Sequence, residues 1–163
     1  MLQPAAIDGL AFARSAGVLK GRIGMDSMPR LAQSGCSGAL LDFILTGEIN
    51  GRGKPELKLA VDGSVRLECQ RCLGNVDLPL VFETRLELAA SEAELVAADD
   101  DIDRVVAGRD MSVAVLGEDE VILSLPMVPK HAQCVAAADA EGGAEPSAFQ
   151  ALAALKKRSF SGG

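Results

Sequence analysis

Tryptophan and tyrosine are absent and phenylalanine occurs five times in 163 residues, so an aromatic platform for stacking nucleic-acid bases is excluded. Histidine occurs once, which removes acid–base machinery built on a pair of imidazoles. No glycine-rich loop has phosphate-cradling spacing. No apolar run approaches the roughly 20 residues that a membrane-spanning helix needs. The stretch before Asp8 has neither a basic region nor an apolar run of the signal-peptide kind, so a cytoplasmic location is expected. Cations are also short: 16 lysines and arginines face 23 aspartates and glutamates, for a net charge of −7. That balance argues against a broad RNA-gripping surface. The deficit is uneven, because residues 1–72 carry 9 basic and 7 acidic side chains whereas residues 73–163 carry 7 and 16.

What is present suits a folded α+β domain with 48% hydrophobic and 24% charged residues. Asp8 is placed to cap a short helix that Gly17 would stop in the left-handed region. Alternation of apolar and polar residues over Val18–Met25, Gly38–Gly47 and Leu57–Val61 predicts strands, with Asn50-Gly51-Arg52-Gly53 as a turn and Asp62-Gly63 as a two-residue hairpin. An antiparallel meander of about five strands, open or partly closed into a barrel, is expected over residues 18–88, flanked by helices. Ala89–Ala98 is helix-like, Asp99–Asp103 is a charged surface loop, and Met111–Leu125 is a mixed run whose apolar content buries it on at least one side and which Pro126 and Pro129 end. The domain is thus expected to span residues 1–134. A flexible linker would follow over 135–146, then a C-terminal amphipathic helix and tail over 147–163, with Phe149, Leu152 and Leu155 on one face for a partner or for the domain itself.

The most informative stretch is Val65-Arg66-Leu67-Glu68-Cys69-Gln70-Arg71-Cys72-Leu73-Gly74. It reads as a strand, a C-x-x-C bend with Gly74-Asn75 as the turn, and a second strand in which Val76, Leu78, Leu80, Phe82, Leu86 and Leu88 share a face. Small residues next to a cysteine pair at a hairpin tip have the form of a metal knuckle. A thioredoxin-type redox pair requires the first thiol at a helix N-terminus within a βαβ unit, and a strand follows here instead.

Leu67-Glu68-Cys69-Gln70-Arg71-Cys72-Leu73 resembles the signature of the large ribosomal RNA subunit accumulation protein family, often called YceD. Leu40–Asp62 is similar to the strand pair that leads into it. Asp119-Glu120-Val121-Ile122-Leu123-Ser124-Leu125-Pro126 resembles the family's acidic-apolar run, which implies a helix over Met111–Leu125, and Phe149–Lys157 resembles its C-terminal helix. The resemblance implies a non-enzymatic role in accumulation of the large-subunit (23S) ribosomal RNA.

One constellation has ligand spacing at both ends: Cys69-x-x-Cys72 and His131-x-x-Cys134. Three thiolates and an imidazole select zinc among common cytosolic metals, and four protein ligands define a closed structural site. The competing reading is unmetallated, partly buried thiols with His131 at the surface. Arg66, Gln70 and Arg71 stand at the hairpin tip as candidate RNA or partner contacts, with the arginines able to fork onto phosphate. The expected partner is therefore a large-subunit ribosomal RNA precursor or a ribosomal or processing protein, with no membrane and no small-molecule substrate. The alternative is a zinc-stabilised adaptor that binds a basic protein.

Overall fold

The computed structural model describes residues 6–97 and 101–136. Three long strands form its frame: β3 (Gly38–Ile49), β4 (Pro55–Glu68) and β5 (Asn75–Ala89). With β2 (Val18–Gly24) and β6 (Arg104–Val106) they make one sheet in the order β2-β3-β4-β5-β6. The period-two pattern sets its faces. Leu41, Phe43 and Leu45 of β3, Leu57, Leu59 and Val61 of β4, and Val76, Leu80 and Leu86 of β5 are all buried in one cluster, while their neighbours point the other way.

The row of strands has two distinct edges, so the sheet is open and the barrel alternative falls. Four strands rather than five occupy residues 18–89, because the hairpin expected at Asp62-Gly63 does not form. β4 runs straight through both residues, with Gly63 opposite Leu41 on one side and Leu80 on the other. A Cβ on Gly63 would lie 2.2 Å from the Leu40 carbonyl oxygen, so this glycine serves close backbone approach and not a turn. The meander is antiparallel as far as β5; β6 pairs parallel to it, with Leu88 opposite Val105. α3 (Glu92–Ala97) lies on that crossover.

Helices cover one face. α1 (Gly9–Arg14) starts at Asp8, whose carboxylate accepts from the Ala11 amide at 2.9 Å. Its left-handed exit is Ala16, with φ of 51°, and not Gly17. α1 lies close against β3: a Cβ at Gly47 would meet the Phe12 carbonyl oxygen at 2.5 Å. A 3-10 turn (Met25–Ser27) leads to α2 (Pro29–Gln33), with Pro29 at its first position where no amide is needed. The helix expected to follow Asp110 begins later. Met111–Ser112 (β7) first pairs with Ala6–Ile7 (β1), and Ser112 then caps α4 (Val113–Ser124). Glu118 of α4, 2% exposed, accepts from the Arg30 and Leu31 amides at 2.6 and 3.0 Å and from Arg30 Nε at 3.0 Å. A buried carboxylate at the positive end of α2 thus ties the two helices together.

At the end of the sheet holding the β3–β4 turn, Glu87 is 3% exposed. It accepts from Arg104 Nε at 3.1 Å, from Asn50 Nδ2 at 3.0 Å and from Arg52. Burial pushes its carboxyl up, but the Asn50 hydrogen bond and the two guanidinium groups outweigh that and hold it below the usual range. Among the described residues no helix is long and apolar enough to cross a membrane.

Candidate metal centre

The opposite end of the sheet carries the β4–β5 connection, Cys69–Gly74. The loop is closed by two backbone bonds, Cys69 N–H to the Gly74 oxygen at 2.8 Å and Leu73 N–H to the Cys69 oxygen at 2.9 Å. The left-handed residue in it is Leu73, with φ of 59°. This bend turns amides toward the sulfur. The Cys69 thiol is brought down to about 5, first by the Cys72 amide and also by the His131 and Arg71 amides, against the opposing effect of burial. Donors aimed at a sulfur favour thiolate, the form that binds metal.

Residues after α4 return to this bend. Leu125, Pro126 and Pro129 end the helical path, and the Pro129 carbonyl accepts from the Gln70 amide at 2.9 Å. That bond sets His131 and Cys134 over the loop. The His131 amide lies 3.5 Å from Cys69 Sγ, Cys69 Sγ lies 3.8 Å from Cys134 Sγ, and Cys72 Sγ lies 3.4 Å from His131 Nδ1. The other ring nitrogen, Nε2, is 3.0 Å from the Asn75 carbonyl oxygen. A proton on Nε2 satisfies that carbonyl and leaves the Nδ1 lone pair facing the sulfurs, the usual outer contact of a ligating histidine. Ligand atoms of Cys69, Cys72, His131 and Cys134 all lie within 4.8 Å of one another, so the four can hold a metal ion. Cys69 is buried and the other three are half-buried. Burial, then the neighbouring sulfurs, raises the Cys134 thiol, as expected when anionic ligands crowd without a cation. Cys36 is remote from the cluster and donates to the Gly38 carbonyl at 3.1 Å.

The proposed contacts at the tip separate. Arg66 is committed to a two-point pair with Asp77 across the hairpin, at 2.7 and 2.9 Å, which leaves its fork occupied. Gln70 is exposed and its amide nitrogen reaches the Glu68 carbonyl at 3.4 Å. Arg71 is exposed and donates to the Cys134 carbonyl at 3.3 Å, so it fastens the returning segment. Sequence reasoning passed over Lys130, an exposed cation next to His131, although its place in the ligand run was a usable signal. Phe149, Leu152 and Leu155 lie outside the described residues.

A sulfur-and-imidazole cluster that could hold a metal ion thus closes over a hairpin tip, on an open sheet backed by helices, with a strand and not a helix following the cysteine pair. The family model described as large ribosomal RNA subunit accumulation protein YceD matches residues 57–156, which include the hairpin, α4 and the returning segment. The chain belongs to that family. No curated protein and no solved structure matches it.

Proposed function

We propose that this protein is a non-enzymatic factor that supports synthesis, processing or stability of the large-subunit ribosomal RNA, and that its hairpin tip is built around one structural zinc ion. The convergence of Cys69, Cys72, His131 and Cys134 carries the reading. Tetrahedral zinc with bonds of about 2.3 Å to sulfur and 2.0 Å to nitrogen needs edges of about 3.8 Å and 3.5 Å; the corresponding separations are 3.8 and 3.4 Å. Four protein ligands leave no open position for substrate, which supports binding rather than catalysis. Zinc supplies a fixed cross-link here, and the protein's residues do the rest. Asn75 and the Pro129 carbonyl set the returning segment, and Arg71 and Lys130 stand beside it.

Arg71 and Lys130 have no carboxylate within ion-pair distance among the described residues, whereas Arg22, Arg30, Lys58, Arg66 and Arg85 all do. Exposed cations without an internal counter-charge are the ones available to phosphate. The test is co-sedimentation with large-subunit precursors. Arg71→Gln with Lys130→Gln should abolish it, with zinc per chain measured on the same samples so that a loosened returning segment is told apart from a lost contact. Association that survives both the double variant and nuclease treatment would replace RNA contact with the adaptor reading, which the net charge of −7 favours.

A further inference from the structure

The face of the sheet turned away from the helices has no described element packed on it. β3 and β4 place Leu40, Asp42 and Ile44 opposite Ser64, Asp62 and Ala60, and β5 adds Val81 beside Asp62. Leu40 is 56% exposed, Ile44 42% and Val81 69%. Scattered exposed aliphatics are ordinary, but these lie on three adjacent strands around one spot. There a depression of about 400 Å³ is lined by Ile44, Ala60 and Val81, with Asp42 and Asp62 on its rim.

The charge at this spot is unusual. Asp42 and Asp62 face each other across neighbouring strands, an arrangement that destabilises a sheet. One cation serves the two: Arg22 makes a two-point pair with Asp42 at 2.8 and 3.0 Å. Asp62 has no hydrogen bond or ion pair among the described residues, although Glu83, which also lines the depression, is matched to Lys58. Asp62 is therefore the one carboxylate at the apolar spot without a partner among the described residues, with the exposed Lys20 at its far edge opposite Ile44.

We propose that this open sheet face is a docking surface for another protein, and that the docking segment carries a lysine or arginine flanked by aliphatic side chains. The cation would lie between Asp42 and Asp62, and its apolar neighbours would cover Ile44, Leu40 and Val81. The unpaired Asp62 carboxylate disfavours phosphate at this place, which sets the surface apart from the tip. The inference goes beyond the proposed function and stands whether or not the tip meets RNA.

The test places a photo-crosslinking benzophenone side chain at position 81 of the full chain in growing cells, with the same side chain at Met127 as a control site. The expected result is a protein adduct absent from the control, mapped to a peptide with lysine or arginine next to aliphatic residues. Asp62→Lys should reduce its yield about fivefold, the effect of about 1 kcal/mol from reversing one facing charge. Asp62→Asn, which leaves the sheet's shape intact, should reduce it less. An adduct to residues 147–158 of the same chain, to a second copy or to RNA would overturn the proposal, as would an adduct insensitive to Asp62→Lys or no adduct at all.

Discussion

The two ends of the sheet solve the same problem with opposite chemistry. Each must fasten a loop across the ends of β4 and β5. At the β3–β4 turn a buried carboxylate, Glu87, is met by Asn50, Arg52 and Arg104, so the chain supplies both signs of charge. At the cysteine end three sulfurs and one imidazole converge, with backbone amides aimed at them and, among the described residues, no carboxylate paired to the neighbouring Arg71 and Lys130. Donor groups of one kind gathered together imply something outside the chain that completes them. The first end is finished by the sequence itself, and the second could hold a cation.

That contrast can be broken from either side. The largest effect should come from the cysteine end. Cys69→Ser, or a strong chelator, should remove the bound metal and lower the melting temperature by about 10 °C or more, since binding free energy at a structural metal site is folding free energy. Metal analysis and calorimetry on the same samples check it, and a metal-free preparation of full stability would refute the contrast. Glu87→Ala should cost about 3 kcal/mol by urea unfolding, the cost of breaking a buried ion pair, with metal content unchanged. Gly63→Ala should come next, at about 2 kcal/mol, because overpacking against the Leu40 carbonyl must be relieved by a backbone shift.

Acidity should separate the ends further. The Glu87 carboxyl is held below its usual value in the folded protein, so its contribution is present above the unfolded value of about 4.3 and is lost as pH falls through the lower folded value. In urea titrations at pH 7 and pH 3.5, the difference between the natural protein and Glu87→Gln should therefore shrink at the lower pH. The smallest effect belongs to Arg66. Its pair with Asp77 is exposed on both sides, and Arg66→Ala should leave the urea midpoint within error.

Much of this was legible in the chain. The period-two runs located β2 to β5, Asp8 announced α1, and the two cysteine-containing pairs named the four cluster residues from spacing alone. Local rules failed where distant backbone decided the outcome. Asp62-Gly63 has turn chemistry, yet β3 and β5 on either side keep β4 extended through it. β6 is three residues beside an acidic run, too short for a pattern, and its parallel partner is set by the crossover. Glu87 looked like one more polar residue in an alternating strand; only the returning β3–β4 turn and Arg104 make it internal. Arg66 was legible as an exposed arginine, but the register that sets it opposite Asp77 was not.

The cysteine cluster joins Cys69 and Cys72 to His131 and Cys134, and everything from β5 through α4 lies between them. Closing so long a loop carries an entropic cost that grows with the length enclosed, and the pieces in between must be in place before the ligands meet. His131 and Cys134 are also the last of the four to be made, so the full ligand set exists only in a chain synthesised through Cys134. A partner that recognised the closed cluster would pass over chains still too short to complete it.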